Sequence, residues 1–586
     1  MKKLYGEKIV REITDQKTYN QNLTQKLLVS PDLRQDKLGY NSDGLNMVMA
    51  MPDIPYAFWR GSGMHIVANE VARQTSFNVD FGYLPFPNVM ADAEQNGLKT
   101  LYSHENIASA DILGVSISNP SLIMGLFNLL ELSGLSVNRE ERKKRNETQQ
   151  RQPLVVAGHM GVLNPAPFEN YVDAFVIGDG DEAMPRIAER YEAWQSVTNG
   201  KDRKTLLHLV ADIPGVYVPE FTERKYNDAG ELVDVIYNGN SQGFVEQQVI
   251  GNLPDFRRAS LIMKKGKEAF AFIDYSCKYK CGFCQMANIR GKYRSNAKEQ
   301  VMRYLQEFDD MGVEKVVLAG ASSTNYDPAD LKEILEWAKA NLKTAKPVIR
   351  SVRIDDIDKI EEFLDQEYLH IAPETGSDFL RNKILLKTIK NAEMMPNIER
   401  VIAEKAFTEV RMYCIVGIPT ETIADRMEYV DLIHRTAATL KQHKGRGEIR
   451  IDMYPLMPHP GTPFEEFGMI GPHKLSAIAA EFNAAVRAKL PREISFKLNS
   501  FDPTPHILEG VLNTGDTSAG DFVFDAYKRG GDLNAILLAA VRKRINVGDY
   551  ISKGNWQAKP WDMIRLVNHA SLPKIKRHLA RNIKLR

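Results

Sequence analysis

The chain has 586 residues, 43% hydrophobic and 26% charged, with 76 Lys and Arg against 75 Asp and Glu. That usage excludes a disordered or collagen-like protein, and a formal charge of +1 excludes a global field drawing it to nucleic acid or a membrane surface. Four cysteines are too few for a disulfide framework, and three of them fall between Cys277 and Cys284, which points to metal in a reducing compartment.

The N-terminus, MKKLYGEKIVREITDQ, has no apolar core behind its lysines, and no stretch of about 18 apolar residues follows anywhere. A cytoplasmic protein with no membrane association is expected. Residues 1–44 read as a polar, irregular arm. From Leu45 the pattern alternates: a strand at LNMVMAM, a helix through HIVANEVARQ, a strand at DILGVSIS, a helix through SLIMGLFNLLELSG, strands at PLVVAG and AFVIG, and a helix through DGDEAMPRIAERYEAW. Over residues 45–199 this predicts a doubly wound, Rossmann-type parallel sheet. The run Arg139 to Gln152 (REERKKRNETQQRQ) reads as a solvated surface loop.

Residues 200–260 lose the helical rhythm and predict a β-rich connector with a turn at NDAGE. A second series begins at AFAFIDYS and continues through EKVVLAG, PVIRSVRID, EYLHIAPE, EVRMYCIVGIP and EIRIDMYPLMP, with helical spacers between. Over 261–489 it predicts a partial (β/α) barrel with its chemistry at the strand C-termini. Residues 490–586 read as a small α+β accessory segment. It ends in a basic tail of Lys574, Lys576, Arg577, Arg581, Lys584 and Arg586, with no acid after Asp562.

Cys277, Cys281 and Cys284 have CxxxCxxC spacing directly after the first barrel strand. Zinc wants a fourth Cys or His at ligand spacing, yet the next His is His370 and the remaining Cys is Cys414. Three thiolates can instead hold three irons of a 4Fe-4S cluster and leave the fourth iron open to an exchangeable ligand, with a structural metal knuckle as the alternative.

This run, with Phe283 directly before the third cysteine, resembles the cluster loop of the radical S-adenosylmethionine (radical SAM) superfamily. The resemblance implies a 4Fe-4S cluster on the three cysteines and SAM as cofactors. It also implies reductive cleavage of SAM to a 5′-deoxyadenosyl radical, and a low-potential electron donor such as flavodoxin or ferredoxin. Gly320-Ala321-Ser322-Ser323 stands where that family has a Gly-rich segment near the SAM amino group, without the acid often found there. Arg353 and Asp355 match an Arg-containing strand end. Glu374 and Ser377 in PETGS resemble the ESGS loop that approaches the SAM ribose and carboxylate, Gly417 to Glu421 in GIPTET resembles GLPGET, and Pro458 to Pro463 resembles PxPGTP.

Residues 45–190 resemble a cobalamin-binding domain, with Ser116, Ser118, Gly158 to Gly161 and Gly178 to Ala183 on the corrinoid side. The DxHxxG segment is absent, and His104 and His159 lack its neighbours, so cobalamin stays an open cofactor. The whole pattern over about residues 45–535 is similar to an uncharacterised bacterial group of cobalamin-domain-like radical SAM proteins. Three other readings stand beside a radical SAM enzyme acting on a small-molecule or macromolecular substrate. They are a cobalamin-dependent methyltransferase, a nucleic-acid- or nucleotide-modifying enzyme anchored by the basic tail, and an electron-transfer protein that never cleaves SAM. The SAM-facing loops favour the enzyme, since an electron carrier has no use for them. Cys414, inside the apolar MYCIVG, reads as a small buried residue, with a hydrogen-donor or covalent role as the alternative.

Overall fold

The computed structural model describes residues 14–586 apart from 25–26, 30–36, 55–61, 148–151, 252, 254–260, 264–267, 350–351, 362–363, 365–367, 500–502, 544–546 and 553–555. The chain forms two compact units, each gathered from separated stretches. One holds Met1–Ala269, Val511–Asn546 and Trp556–Leu566, and the other Phe270–Gly510, Val547–Asn555 and Val567–Arg586.

The first unit is built on β1 (Asn46–Met51), β2 (Asn78–Tyr83), β3 (Ile112–Ser116), β4 (Leu154–Gly158), β5 (Ala174–Val176) and β6 (Val216–Tyr217). They lie in the order β2-β1-β3-β4-β5-β6, all parallel except the last pair. This is the doubly wound sheet expected, in the flavodoxin-type order, whose switch point falls between β1 and β3. Every residue of β1 and β2 is buried, as strands covered on both faces must be.

Three local expectations need correction here. The polar arm contains a helix, Gln16–Thr24, whose Tyr19 and Leu23 lie one turn apart and are buried at 1% and 0% exposure, a stripe hidden among polar neighbours. The charged run is a helix over Arg139–Glu147, not a solvated loop. Its Arg142 is fully buried because its guanidinium donates to the carbonyls of Ser136 and Val137 at 2.9 Å and of Tyr171 at 2.8 Å. The connector opens with a helix, Arg203–Ala211, before the predicted turn joins Thr222–Tyr226 to Leu232–Tyr237 in a hairpin. There Asn227 Oδ1 accepts the N–H groups of Ala229 and Glu231.

Chain from the C-terminal segment completes this unit. Helix Thr517–Tyr527 packs so closely on the loop after β4 that a Cβ on Gly520 would stand 1.8 Å from the Pro167 carbonyl. Asn164 donates from the same loop to the carbonyls of Leu512, Asn513 and Gly515.

The second unit begins within β7 (Glu268–Phe272), which shares one sheet with β8 (Lys315–Ala319) and β9 (Lys346–Val348), and carries β10 (Tyr368–Glu374), β11 (Glu409–Val416), β12 (Gly447–Pro455) and β13 (Ile494–Leu498) in another. Pairing is parallel from β8 to β9 and from β10 through β13. The six predicted strands are present, and β13 is a seventh. Its period-two signal, Ile494 and Phe496 buried with Ser495 and Lys497 exposed, falls in the stretch assigned to the accessory segment. Among the described residues no helix is long and apolar enough to cross a membrane.

The basic tail has regular structure. It is a helix, Leu572–Lys584, with Leu579 fully buried in an apolar cluster that includes Leu385, Ile418, Leu456 and Phe464. Two of its six cations turn inward: Lys576 pairs with Glu465 at 2.6 Å and Glu466 at 2.5 Å, and Arg586 with Asp425 at 2.6 Å.

Candidate active site

After β7 the backbone makes a short ladder, Asp274–Tyr275 against Arg294–Ser295, and the three cysteines lie in the loop it closes. Several contacts fix that loop. Asn288 donates from its amide to the carbonyls of Cys281 at 2.9 Å and Cys284 at 2.8 Å. The Gly282 N–H donates to the Leu385 carbonyl at 2.8 Å. Fully buried Asn325 brings its amide Nδ2 to 3.4 Å from Cys277 Sγ. Half-buried Phe283 packs on the apolar cluster beneath.

Among the described residues no three Cys, His, Asp or Glu side chains close on a single ion. The iron–sulfur cube offers each thiolate its own iron and so asks for spaced thiols rather than one tight nest. Burial pushes the Cys281 thiol up to about 12 and raises Cys284 as well. Both stay protonated until a metal takes the proton's place, which couples cluster binding to this loop.

Asp274 stands at the base of the loop, 1% exposed. Its Oδ1 accepts the Ala321 N–H at 3.2 Å, while Oδ2 is buried with no hydrogen-bond partner. A Cβ on Gly320 would stand 2.3 Å from Oδ1, so only glycine admits the carboxylate. A carboxylate from the neighbouring strand therefore stands against the Gly320 segment. Burial pushes Asp274 up to about 7 against the hydrogen bond from Ala321, the nearby Tyr293 hydroxyl and the charge of Lys278. Beside it, half-buried Ala321 leads to buried Ser322, whose hydroxyl lies 2.9 Å from that of Thr324.

Glu374 ends β10 with φ of 64° and pairs through Oε1 with Lys387 Nζ at 2.8 Å, the two residues being 7% and 6% exposed. The charges of Lys387 and Arg353 both act on Cys281, drawing its thiol downward against burial. Arg353 lies beyond its strand, before the turn Ile354–Lys359, with its guanidinium 3.7 Å over the Tyr279 ring and 2.8 Å from Asp355. Two cations thus flank the cysteine loop, of which the sequence marked only Arg353.

Ser377 is buried and hydrogen-bonded to Asp425. Burial raises Asp425, but bonds from Arg586, Thr422 and Ser377 outweigh it and hold the carboxyl at about 2. From beneath, fully buried Arg381 donates to the carbonyls of Pro373 and Thr375 and fixes the loop between them. Gly417 donates its N–H to Glu421 Oε2 at 2.9 Å, and Glu421 also meets Arg426 at 3.3 Å, so this carboxylate closes its own turn. Cys414 is buried beside Glu374 in the β10–β11 register, and burial pushes its thiol well up. Asp274, Lys387, Asn325 and Arg381 escaped sequence reasoning because their partners are distant in the chain. Backbone strain was a further hidden signal: Ser276, Glu374, Leu386 and Thr420 all take left-handed φ in these loops.

A parallel β/α frame with three thiols after its first strand and constrained polar loops after the later ones defines an iron–sulfur α/β enzyme. The chain belongs to the radical SAM superfamily: residues 274–433 match the model described by that name, and residues 63–219 match the one for the N-terminal part of radical SAM proteins. It is a radical SAM enzyme with a 4Fe-4S cluster and SAM as cofactors, and such enzymes need a reductant. An uncharacterized protein of Methanocaldococcus jannaschii is 23% identical over 71% of this chain and 78% of its own length. The tRNA-2-methylthio-N(6)-dimethylallyladenosine synthase of Thermoanaerobacter pseudethanolicus is 25% identical over 43% of this chain, which spans 54% of that enzyme. A solved structure of the radical SAM methyltransferase TsrM from Kitasatospora setae, with cobalamin and a [4Fe-4S] cluster bound, aligns with a TM-score of 0.43 at 12% identity, over 85% of this chain and 100% of that one.

Proposed function

We propose that Cys277, Cys281 and Cys284 hold the cluster and that Asp274, Arg353, Glu374 and Ser377 receive SAM, in a cytoplasmic enzyme that abstracts hydrogen from its substrate. A flavodoxin or ferredoxin is the electron donor in this reading. When bound, cluster and SAM together supply one-electron cleavage that yields the 5′-deoxyadenosyl radical. The observation that carries the reading is Asp274, whose buried, partnerless Oδ2 lies beside the Gly320 segment. Its carboxylate takes the SAM ammonium, while Lys387 and Arg353 offset negative charge at the thiolates and at the SAM carboxylate. The direct test is anaerobic reconstitution followed by measurement of 5′-deoxyadenosine with dithionite; no product with a full cluster complement overturns it.

Asp274 also sets a pH dependence. With its carboxyl at about 7, SAM affinity is expected to rise as pH rises through that value, because only the ionised acid pairs with the ammonium. Asp274→Asn is expected to remove that step and weaken SAM about tenfold or more, the worth of a hydrogen bond to a charged group at about 1.5 to 3 kcal/mol, with iron content unchanged. The SAM-free protein behaves oppositely. The folded state holds the proton more tightly than the unfolded one, so this contribution to stability is full below about pH 4 and lost as pH rises through about 7. Titration calorimetry across this range checks the first trend and chemical denaturation the second.

Two of the glycines on the expected corrinoid side, Gly161 and Gly178, are taken up by the chain's own packing. The side of Gly161 where a Cβ would project meets the Ile117 carbonyl at 2.5 Å, that of Gly178 meets the Gln248 carbonyl at 2.0 Å, and the loop after β4 lies under helix Thr517–Tyr527. Both glycines serve approaches of the chain to itself, and we read the sheet as a structural or substrate platform. Anaerobic purification with hydroxocobalamin supplied is expected to leave no stoichiometric corrinoid absorbance; a one-to-one complex would reverse this reading.

A further inference from the structure

The C-terminal helix Leu572–Lys584 contains five lysines and arginines and no acid. At 3.6 residues per turn, Lys574, Arg577, Arg581 and Lys584 fall within an arc of about 80°, directly opposite the face that carries Leu579 and Ile583. All four are exposed, and among the described residues none makes a side-chain hydrogen bond or ion pair. Lys576 and Arg586, on the inner side, are by contrast both paired with carboxylates. A charged helix face is ordinarily laced with ion pairs of both signs. Here the acids are used on the inside and the outer face is left as an uncompensated cationic stripe.

The inner face of the helix links this stripe to the cluster loop. Leu579 and Ile583 sit in the apolar cluster on which Phe283 packs, one residue from Cys284. The same cluster contains Leu385, whose carbonyl receives the Gly282 N–H. Asn582 donates to the Lys383 carbonyl at 2.7 Å, which fixes the helix on this segment. The stripe is thus the outer face of a helix whose inner face packs on the same apolar cluster as Phe283 of the cysteine loop.

We propose that this stripe is the docking surface for the enzyme's reductant, an acidic one-electron donor protein of the flavodoxin type. The proposal rests on the radical SAM reading, since only a cluster bound to the cysteine loop needs an electron delivered there. One electron leaves the donor, which is oxidised, and enters the cluster, which is reduced from 2+ to 1+; no atom or proton is transferred. Tunnelling falls steeply with distance, so a donor must sit near the cluster. Four unpaired cations on the helix that shares an apolar cluster with that loop supply the complementary charge that steers and orients an acidic partner. A nucleic-acid backbone would use the same charge but gains nothing from contact with the cluster loop.

The test uses the full-length, reconstituted protein. The rate of cluster reduction, read as bleaching of its visible absorbance, is measured with reduced flavodoxin and separately with dithionite. Replacing all four cations by glutamate (Lys574→Glu, Arg577→Glu, Arg581→Glu, Lys584→Glu) is expected to slow reduction by flavodoxin about tenfold or more, and to leave reduction by dithionite unchanged. Raised salt should slow the wild type with flavodoxin only. The four-fold glutamine variant, which keeps the helix without reversing charge, should show a smaller loss of the same kind. An unchanged flavodoxin rate in both variants overturns the proposal, as does an equal loss with both reductants. If bulk tRNA binding is lost while the flavodoxin rate holds, the surface is a nucleic-acid site and the proposal is again overturned. Failure of wild-type protein to take up a cluster would instead overturn the underlying radical SAM reading.

Discussion

Cys281→Ala is expected to leave the reconstituted protein without its brown 4Fe-4S absorbance and with 5′-deoxyadenosine formation at background, and Cys277→Ala and Cys284→Ala should do the same. Within the loop itself, residues 275–293, the three cysteines stand with no other Cys, His, Asp or Glu. Cys281 is nearly buried and its carbonyl is clamped by Asn288, so the loop has little freedom to bring another donor to the vacated iron. Cys414→Ala provides the control. That thiol lies within β11 beside Glu374 and Met453 in register, and its removal should cost about 1 kcal/mol of packing while cluster absorbance remains. Iron and sulfide analysis with absorbance spectra decides the matter; loss of the cluster in Cys414→Ala with retention in Cys281→Ala would reverse the assignment.

Breaking the Glu374–Lys387 pair is expected to have the largest effect on stability. Both groups are buried, the Lys387 ammonium also donates to the Ala372 carbonyl at 2.5 Å, and no solvent replaces a lost partner. Glu374→Gln leaves a buried ammonium without its countercharge, and Lys387→Met leaves a buried carboxylate in the same position. Each should cost about 3 to 5 kcal/mol. The double variant removes both charges together and should lose distinctly less than the sum, a coupling that a double-mutant cycle in denaturant reads directly. Additive losses would mean that the pair is not a mutual requirement. In the double variant a weakened SAM affinity with stability largely restored reports contact of this pair with SAM rather than collapse of the loop.

Local pattern and tertiary packing divided the work of defining this protein. Strand and helix alternation announced the doubly wound sheet and six strands of the second series, because buried parallel strands need continuous apolar runs separated by helical spacers. The spacing of Cys277, Cys281 and Cys284 announced the cluster loop, since ligands so close in sequence share a neighbourhood whatever surrounds them. Residues whose roles depend on distant partners were silent. Asp274 acquires its meaning from Ala321, 47 residues on, and Asp425 from Arg586, 161 residues away. The basic terminus read only as a run of cations, and packing alone revealed that two of them are paired with buried carboxylates while four face outward together. The division of the last hundred or so residues between both units was likewise invisible, because a helix's hydrophobic face records that it will be covered but not by what.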